Sequence, residues 1–384
     1  MEHLINQKVK ELEISGIRKF FNMVANTEGM ISLTIGQPDF PTPEHVKNAG
    51  IKAIKDNYTS YTHNAGYLEL RMAACQFVEK KYGITYNPET EVIVTAGASE
   101  AIDITFRTIL TEGTEVILPG PVYPGYEPLI RTCGAIPVYA DVRDNQFRLT
   151  AEKIKPYITK KTRCIVLPYP SNPTGVSLTK SELEEIASLV REYEIFILAD
   201  EIYSELVYDQ SHQSIASFLK EKTIVINGLS KSHSMTGWRI GLLFAPEYLT
   251  KHILKVHQYN VSCANSIAQK AAFEALTVGI DDALLMKREY AQRREFVHNR
   301  LHGMGLNVVK PDGAFYFFVE IPKLIPFNSF DFCLELVREA NVAVVPGSAF
   351  SEYGEGYFRL SYAASMETLK EGLNRIERYL SKWS

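Results

Sequence analysis

The middle of the chain contains a series of short apolar runs, separated by polar and helix-like segments. Most of these runs are continuous over four or five residues and do not alternate with polar positions. Continuous runs are typical of strands buried on both faces, as in parallel sheets covered by helices. The pattern therefore predicts an α/β protein with a mixed, mostly parallel sheet of about seven strands, whose order it leaves open. The runs lie at residues 91–95, 115–118, 136–139, 164–168, 195–199, 224–227 and 240–244.

Helical periodicity appears between several of these runs and again near the end of the chain. In residues 181–193 the apolar side chains share one face, and a threonine suited to capping the helix precedes them. These residues are Leu183, Ile186, Leu189 and Val190, with Thr179 as the N-cap. Further helices are predicted at residues 98–110, 151–158, 281–301 and 366–381, and further strands at residues 313–319, 342–345 and 357–361. The aromatic run at residues 315–318 is interpreted as a half-buried strand.

The two ends of the chain lack the series of buried strands. Residues 36–43 (GQPDFPTP) are so rich in proline that they cannot be helical. We interpret the flanks as a second, smaller α+β domain built from both ends of the chain. The predicted division is an N-terminal arm with part of the small domain (residues 1–45), a large domain (46–284) and a C-terminal small domain (285–384).

Composition narrows the class of protein. The 41 Lys and Arg residues against 45 Asp and Glu give a net charge of −4, which argues against a nucleic-acid or membrane binder. No apolar run approaches the roughly 20 residues that span a bilayer, and the first residues lack the apolar core of a signal peptide. The five cysteines show no C-x-x-C spacing, so neither a disulfide framework nor a metal site is expected. We expect a cytoplasmic protein.

Polar residues follow three of the predicted strands at the point where each strand ends. Asp200 and Tyr203 follow residues 195–199, Asn172 follows residues 164–168, and Lys231 follows residues 224–227. Each of these residues alone could be a cap, a turn or a solvated surface residue. Because open α/β sheets bind ligands at the carboxyl ends of their strands, together they predict a shared site containing a carboxylate, a phenol, an amide and an amine.

The segment SKSHSMTGWRIG at residues 230–241 resembles the S-K-x-x-x-x-x-G-x-R-x-G motif of the class I aminotransferases, pyridoxal-phosphate enzymes of the aspartate aminotransferase superfamily. Six further segments match in the family's order, so the resemblance covers nearly the whole chain. It implies the fold type I architecture and pyridoxal 5′-phosphate as cofactor. The six segments are GQPDF (36–40), YTHNAG (61–66), GAS (97–99), PSNPTG (170–175), ADEIY (199–203) and FRLS (358–361).

The resemblance implies a role for each residue of the predicted site. Lys231 would hold the cofactor as a Schiff base and then move the substrate's α-proton. Asp200 would pair with the pyridine nitrogen, and Tyr203 and Asn172 would bind the ring's 3-oxygen. Arg359 would clamp the α-carboxylate of the substrate with two parallel hydrogen bonds, a geometry that lysine cannot reproduce.

The phosphate of the cofactor needs backbone N–H groups and a cation. The segment Gly97, Ala98 and Ser99 lies between a predicted strand and a predicted helix, so its amides form an anion site. Arg239 would add a positive charge. The remaining implied positions are Ser230 beside the phosphate, Tyr123 stacked on the ring, Gly36 where the small domain closes over the substrate, and Tyr61 reaching the phosphate from a second subunit of a homodimer.

The predicted reaction is ping-pong transfer of an amino group from an L-amino acid to a 2-oxo acid such as 2-oxoglutarate. Strict aspartate specificity is not expected, because residues 258–266 contain no cation and Ser99 stands where some bacterial relatives carry lysine. The overall resemblance is to the bacterial branch that includes N-acetyl-diaminopimelate aminotransferases.

Two alternative functions remain open from the sequence. A carbon–sulfur β-lyase of the cystathionine lyase type would share the fold, Lys231, Asp200 and Arg359. A non-catalytic pyridoxal-phosphate-sensing domain would normally carry a basic DNA-binding arm, and the residues before Gly36 are too few and too mixed in charge to form one. His298 and His302 have the spacing of two metal ligands, but without a third ligand they are interpreted as part of a solvated helix face.

Overall fold

The computed structural model describes residues 1–25 and 27–383. Its strands are β1 (Ile31–Ser32), β2 (Val92–Thr95), β3 (Glu115–Gly120), β4 (Ile136–Asp141), β5 (Thr162–Leu167), β6 (Phe196–Asp200), β7 (Thr223–Gly228), β8 (Gly241–Phe244), β9 (Tyr316–Glu320), β10 (Val342–Ala343), β11 (Val345–Pro346) and β12 (Tyr357–Ser361). Its α-helices are α1 (Gln7–Lys10), α2 (Gly16–Val24), α3 (Glu44–Lys55), α4 (Leu68–Tyr82), α5 (Ala98–Ile109), α6 (Tyr126–Thr132), α7 (Ala151–Ile154), α8 (Lys180–Arg191), α9 (Ala216–Leu219), α10 (Leu229–Ser232), α11 (Glu247–Val261), α12 (Ser266–Thr277), α13 (Ala283–Gly303), α14 (Ser329–Ala340) and α15 (Met366–Leu380).

The central sheet of the described chain has seven strands in the order β2-β8-β7-β6-β5-β3-β4. The strand β8 runs antiparallel to both of its neighbours, and the other pairs are parallel. This architecture confirms the predicted mixed, mostly parallel sheet and supplies the strand order that the apolar runs left open. The carboxyl ends of β5, β6 and β7 therefore lie side by side along one edge of the sheet.

Both faces of the sheet are buried, which explains the continuous apolar runs. Along β6, Ile197 and Ala199 belong to one hydrophobic cluster and Leu198 to another on the opposite face, as the alternation of side chains along a strand requires. The strand β4 lies at the edge of the sheet and is partly exposed, with Ile136 at 45% exposure. A continuous apolar run thus marks a strand here, whether the strand is covered on both sides, as β2 and β6 are, or partly exposed, as β4 is.

Most of the predicted helices are confirmed to within a few residues. The helix α8 begins with a capping box in which Thr179 and Glu182 satisfy each other's backbone N–H groups. The prediction of one helix over residues 151–158 is wrong in part, because α7 gives way to a 3₁₀ helix at Lys155–Tyr157 that contains Pro156. Proline has no N–H group to continue the α-helical hydrogen bonds.

Two smaller sheets lie outside the central one. The strands β11, β12 and β9 form an antiparallel sheet, and β1 pairs in parallel with β10. The prediction of one strand at residues 342–345 is wrong, because the chain changes partner at Val344. Val342 pairs with Ile31 near the N-terminus, whereas Val345 pairs with Arg359 on β12.

All four aromatic residues at 315–318 are buried, so the prediction that this run forms a half-buried strand is wrong. Phe317 packs in the cluster shared with α13, α14 and α15, whereas Phe318 packs in the cluster of the central sheet. Each face of the strand therefore meets a different part of the core.

The pairing of β1 with β10 joins a segment near the N-terminus to a segment near the C-terminus. The proposed domain boundaries after residues 45 and 284 stay predictions. None of the helices in residues 1–25 and 27–383 has the length and apolarity that crossing a membrane requires.

Candidate active site

A cavity of about 490 Å³ opens at the carboxyl ends of β5, β6 and β7 and at the start of α5. Most of the residues predicted from the sequence line it, because parallel neighbouring strands end at the same edge. Gly97 lies directly beside the cavity, whereas Tyr61 does not reach it. The predicted residues in the cavity wall are Gly36, Ala98, Ser99, Tyr123, Asn172, Asp200, Tyr203, Ser230, Lys231, Arg239 and Arg359.

Lys231 lies on α10, the short helix that follows β7. Its Nζ donates a 2.6 Å hydrogen bond to the carbonyl oxygen of Gly36 and faces the rings of Tyr203 and Phe315. Burial lowers the pKa of the Lys231 amine to about 8, and the positive charge of Arg359 acts in the same direction. Near neutral pH more of this amine is therefore unprotonated than of an ordinary lysine, and the unprotonated form is the one that acts as a nucleophile or base.

Asp200 is the last residue of β6 and is 8% exposed. Its Oδ2 accepts a 2.6 Å hydrogen bond from the hydroxyl of Tyr126, and its Oδ1 accepts one from the backbone N–H of Ile202. Burial raises the pKa of the Asp200 carboxyl, while the Tyr126 hydroxyl opposes this shift by stabilising the ionised form. A buried carboxylate of this kind favours a cationic partner.

Two tyrosines of the site were not identified from the sequence. Tyr126, 1% exposed, begins α6 and supports Asp200, and Tyr316 on β9 shares a 2.8 Å hydrogen bond with the hydroxyl of Tyr203. Burial raises the pKa of Tyr203 well above its usual range. The one available signal for Tyr316 was a hydroxyl within an otherwise apolar run of phenylalanines, which indicates a polar partner in the core.

Arg359 projects from β12 and is 2% exposed. Its Nη1 donates to Oδ1 of Asn172 at 2.9 Å and its Nη2 donates to the carbonyl oxygen of Thr34 at 2.6 Å. The guanidinium lies 4.3 Å from the centre of the Tyr316 ring. Burial lowers the pKa of Arg359. These contacts use two of the five N–H groups, so the fixed fork keeps donors for a carboxylate ligand.

The loop between β2 and α5 forms a concave surface suited to an anion. Gly97 has a φ of +84°, and a Cβ atom at this position would collide with the guanidinium of Arg239. Arg239 itself has a φ of +56° and is held by a hydrogen bond from its Nη1 to the carbonyl oxygen of Thr236. The backbone N–H groups at the start of α5 thus lie beside a positioned cation, as phosphate binding requires.

Two candidate features lie away from the cavity. Tyr61 is 86% exposed and does not line this cavity. Its role in the site of a second subunit stays a prediction. His298 and His302 lie on α13 with their ring centres 6.5 Å apart and the ring planes tilted by 34°. Within residues 1–25 and 27–383, no cluster of three or more His, Cys, Asp and Glu residues could hold a metal ion.

Comparison with known proteins shows the family to which this chain belongs. The family model described as "Aminotransferase class I and II" matches residues 28–376. The chain is 62% identical over 382 residues to the "Probable N-acetyl-LL-diaminopimelate aminotransferase" of Bacillus subtilis, covering 100% of this chain and 97% of that protein. It is 41% identical over 387 residues to aromatic-amino-acid aminotransferase 2 of Thermococcus litoralis, covering 98% of each.

Solved structures agree with the relatives found by sequence. A single mutant of Thermus thermophilus aspartate aminotransferase superposes with a TM-score of 0.93 at 34% identity, over 97% of this chain and 99% of that one. The relatives are named aminotransferases, so the β-lyase and the non-catalytic sensor are not favoured. This chain is therefore a fold type I α/β enzyme that belongs to the class I and II aminotransferase family.

Proposed function

We propose that this aminotransferase binds pyridoxal 5′-phosphate in the cavity and moves the amino group of N-acetyl-LL-diaminopimelate to 2-oxoglutarate. The observation that carries the proposal is the Lys231 amine, whose pKa is lowered to about 8 in a cavity that also holds Asp200, Arg239 and Arg359. The donor is suggested by the name of the 62% identical relative. It also agrees with Ser99 and with a segment 258–266 that contains no lysine or arginine to select a short dicarboxylate.

The residues present suit the cofactor's phosphate. Gly97, Ala98 and Ser99 provide backbone N–H groups at the start of α5, and Arg239 provides the cation against which Gly97 packs. Ser230 lines the same wall and adds a hydroxyl. A dianion at a helix N-terminus is favourable because the helix dipole and the unpaired N–H groups both point toward it.

The residues also suit the cofactor's ring. Asp200 offers a buried carboxylate for the pyridinium nitrogen, and Tyr203 offers a hydroxyl for the 3-oxygen. Because Oδ1 of Asn172 already accepts from Arg359, its amide NH₂ remains to donate to that oxygen. Tyr123 lines the wall where a ring could stack. When bound, pyridoxal phosphate supplies an electron-withdrawing ring that stabilises negative charge at the substrate's α-carbon.

The chain's own residues then bind the substrate and move its proton. Arg359 holds the α-carboxylate and so orients the α-carbon toward Lys231. Nζ of Lys231, unprotonated in part near pH 8, would act as the base that takes the proton from the substrate's α-carbon and then as the acid that gives this proton up again on the same side. The carbonyl of Gly36 accepts from the same Nζ and keeps the amine within the cavity.

We further propose a cytoplasmic homodimer in which Tyr61 serves the partner's site. Support comes from the 86% exposure of Tyr61 and from exposed apolar residues nearby on α3 and α4. These residues are Ile51, Ile54, Leu68 and Met72. Burying such side chains against a second copy would remove apolar surface from water. The five cysteines are all unpaired, as in proteins of a reducing compartment.

The cofactor assignment is tested by reduction of the purified protein with borohydride. The protein should absorb in the visible range, and peptide mapping should find the reduced cofactor on Lys231. The matched control is Lys251→Ala, an exposed lysine on α11, which should keep the absorbance that Lys231→Ala loses. A reduced adduct on another lysine would contradict the assignment.

The substrate assignment is tested by a panel of amino donors with 2-oxoglutarate. N-acetyl-LL-diaminopimelate should give a kcat/KM at least about tenfold above aspartate and phenylalanine, the difference that about 1.4 kcal/mol of selective binding produces. Equal values would show that the site does not select this donor. Release of pyruvate from cystathionine without an oxo acid would instead support the β-lyase.

A further inference from the structure

A buried pair of a histidine and a glutamate lies directly behind the phosphate loop. His257 of α11 is 0% exposed, and its Nδ1 lies 2.7 Å from Oε1 of Glu100 in the first turn of α5. The other oxygen of Glu100 accepts from the backbone N–H of Ala96, the residue before Gly97. The Glu100 side chain is 8% exposed. The pair therefore contacts the loop that would cradle the phosphate without lining the cavity.

The hydrogen-bond partners determine how many protons the pair carries. Nε2 of His257 lies 2.9 Å from the carbonyl oxygen of Asn64, which can only accept, so this nitrogen carries a hydrogen. Nδ1 faces the carboxylate of Glu100, so one more proton lies on that nitrogen or on the carboxyl group. In both arrangements histidine and glutamate together have no net charge. Among the described residues, His257 is the basic side chain that contacts the Glu100 carboxyl group.

This neutrality matters because of where Glu100 lies. A carboxylate in the first turn of a helix stabilises the free helix, but it repels a dianion bound at the same N-terminus. Arg239 lies against the loop at Gly97 and is the cation that the phosphate itself requires. Without a second positive charge, Glu100 would oppose phosphate binding.

We propose that His257 is a positioning residue that neutralises Glu100, so that the start of α5 accepts the cofactor's phosphate. The inference rests on the proposed use of pyridoxal phosphate. Through Asn64 the same histidine also holds the segment of residues 61–66, whose Asn64 amide donates to the carbonyl oxygen of Ser262. One buried imidazole thus joins the phosphate loop, α11 and the segment that carries Tyr61.

The test compares the affinities of pyridoxal phosphate and of pyridoxal, which lacks the phosphate, for the cofactor-free protein. His257→Asn keeps a donor near Glu100 but cannot carry the charge, so pyridoxal phosphate should bind about tenfold more weakly while pyridoxal binds as before. The double variant His257→Asn with Glu100→Gln removes the uncompensated charge and should restore most of the affinity. His252→Asn, an exposed histidine on the same helix, is the matched control.

If His257 only supports the fold, His257→Asn should weaken the binding of pyridoxal phosphate and of pyridoxal equally, or the double variant should bind pyridoxal phosphate no more tightly than His257→Asn does. Either result overturns the proposal. If His257→Asn does not fold, Glu100→Gln alone decides the question. In this variant the glutamine and a neutral His257 together carry no charge, just as the native pair does. The variant should therefore bind pyridoxal phosphate as tightly as the unmodified chain, and a different affinity refutes the inference. Failure of the unmodified chain to bind pyridoxal phosphate at all would instead refute the proposed function.

Discussion

Replacing Arg359 with lysine tests the clamp for the substrate's carboxylate. The change keeps the positive charge but removes the planar fork, whose Nη1 and Nη2 are held by Asn172 and Thr34. Lysine has one nitrogen on a flexible stem, so it cannot keep both of these contacts and also offer two parallel donors to a carboxylate. The perturbation is therefore one of geometry more than of charge.

The magnitude follows from the number of hydrogen bonds lost. A hydrogen bond to a charged group contributes about 1.5–3 kcal/mol, so losing one of two donors to the α-carboxylate should reduce kcat/KM about tenfold to hundredfold. Arg359 is 2% exposed, and solvent therefore cannot replace the missing donor. The cofactor should bind normally, because none of its proposed contacts uses this side chain.

The assay compares an amino acid with the amine that has the same side chain and no carboxylate. The amino acid should lose activity with Arg359→Lys, whereas the amine should react at nearly the same rate as with the unmodified enzyme. Arg338→Lys is the matched control, since this arginine is exposed on α14 and pairs with Glu335. Equal losses for the amino acid and the amine would show that Arg359 supports the fold and does not recognise the substrate.

Three further predictions concern the cofactor and the assembly. Labelling of Lys231 by an amine-reactive probe in the cofactor-free protein should rise with pH through about 8, because only the unprotonated amine reacts, and a rise near pH 10 would contradict the lowered pKa. Tyr126→Phe removes a donor that opposes the raised pKa of Asp200, so the Kd for pyridoxal phosphate should increase about tenfold in equilibrium titrations, and an unchanged Kd would show that the hydroxyl is dispensable. Mixing Tyr61→Phe with Lys231→Ala chains should restore activity in hybrid dimers, since one site then has both native residues, and activity equal to the mean of the two parent dimers would argue against shared sites.

The sequence alone predicted the fold class and many of the residues that line the cavity, because both depend on local patterns. Continuous apolar runs mark strands that are covered on both faces, and polar residues at the ends of those runs meet at one edge of a parallel sheet. Lys231, Asp200 and Asn172 could be identified in this way before any contact was known. The motif resemblance added Arg359 and the phosphate loop.

The tertiary structure alone decided the strand order and the partners of the buried polar groups. Tyr126 donates to Asp200 across 74 residues, and His257 meets Glu100 across 157 residues. The single run at residues 342–345 likewise divides between two sheets, because its partners lie near opposite ends of the chain. Local sequence specifies which side chains must be buried, but a buried donor or acceptor is satisfied by whichever group the packing of distant elements brings to it.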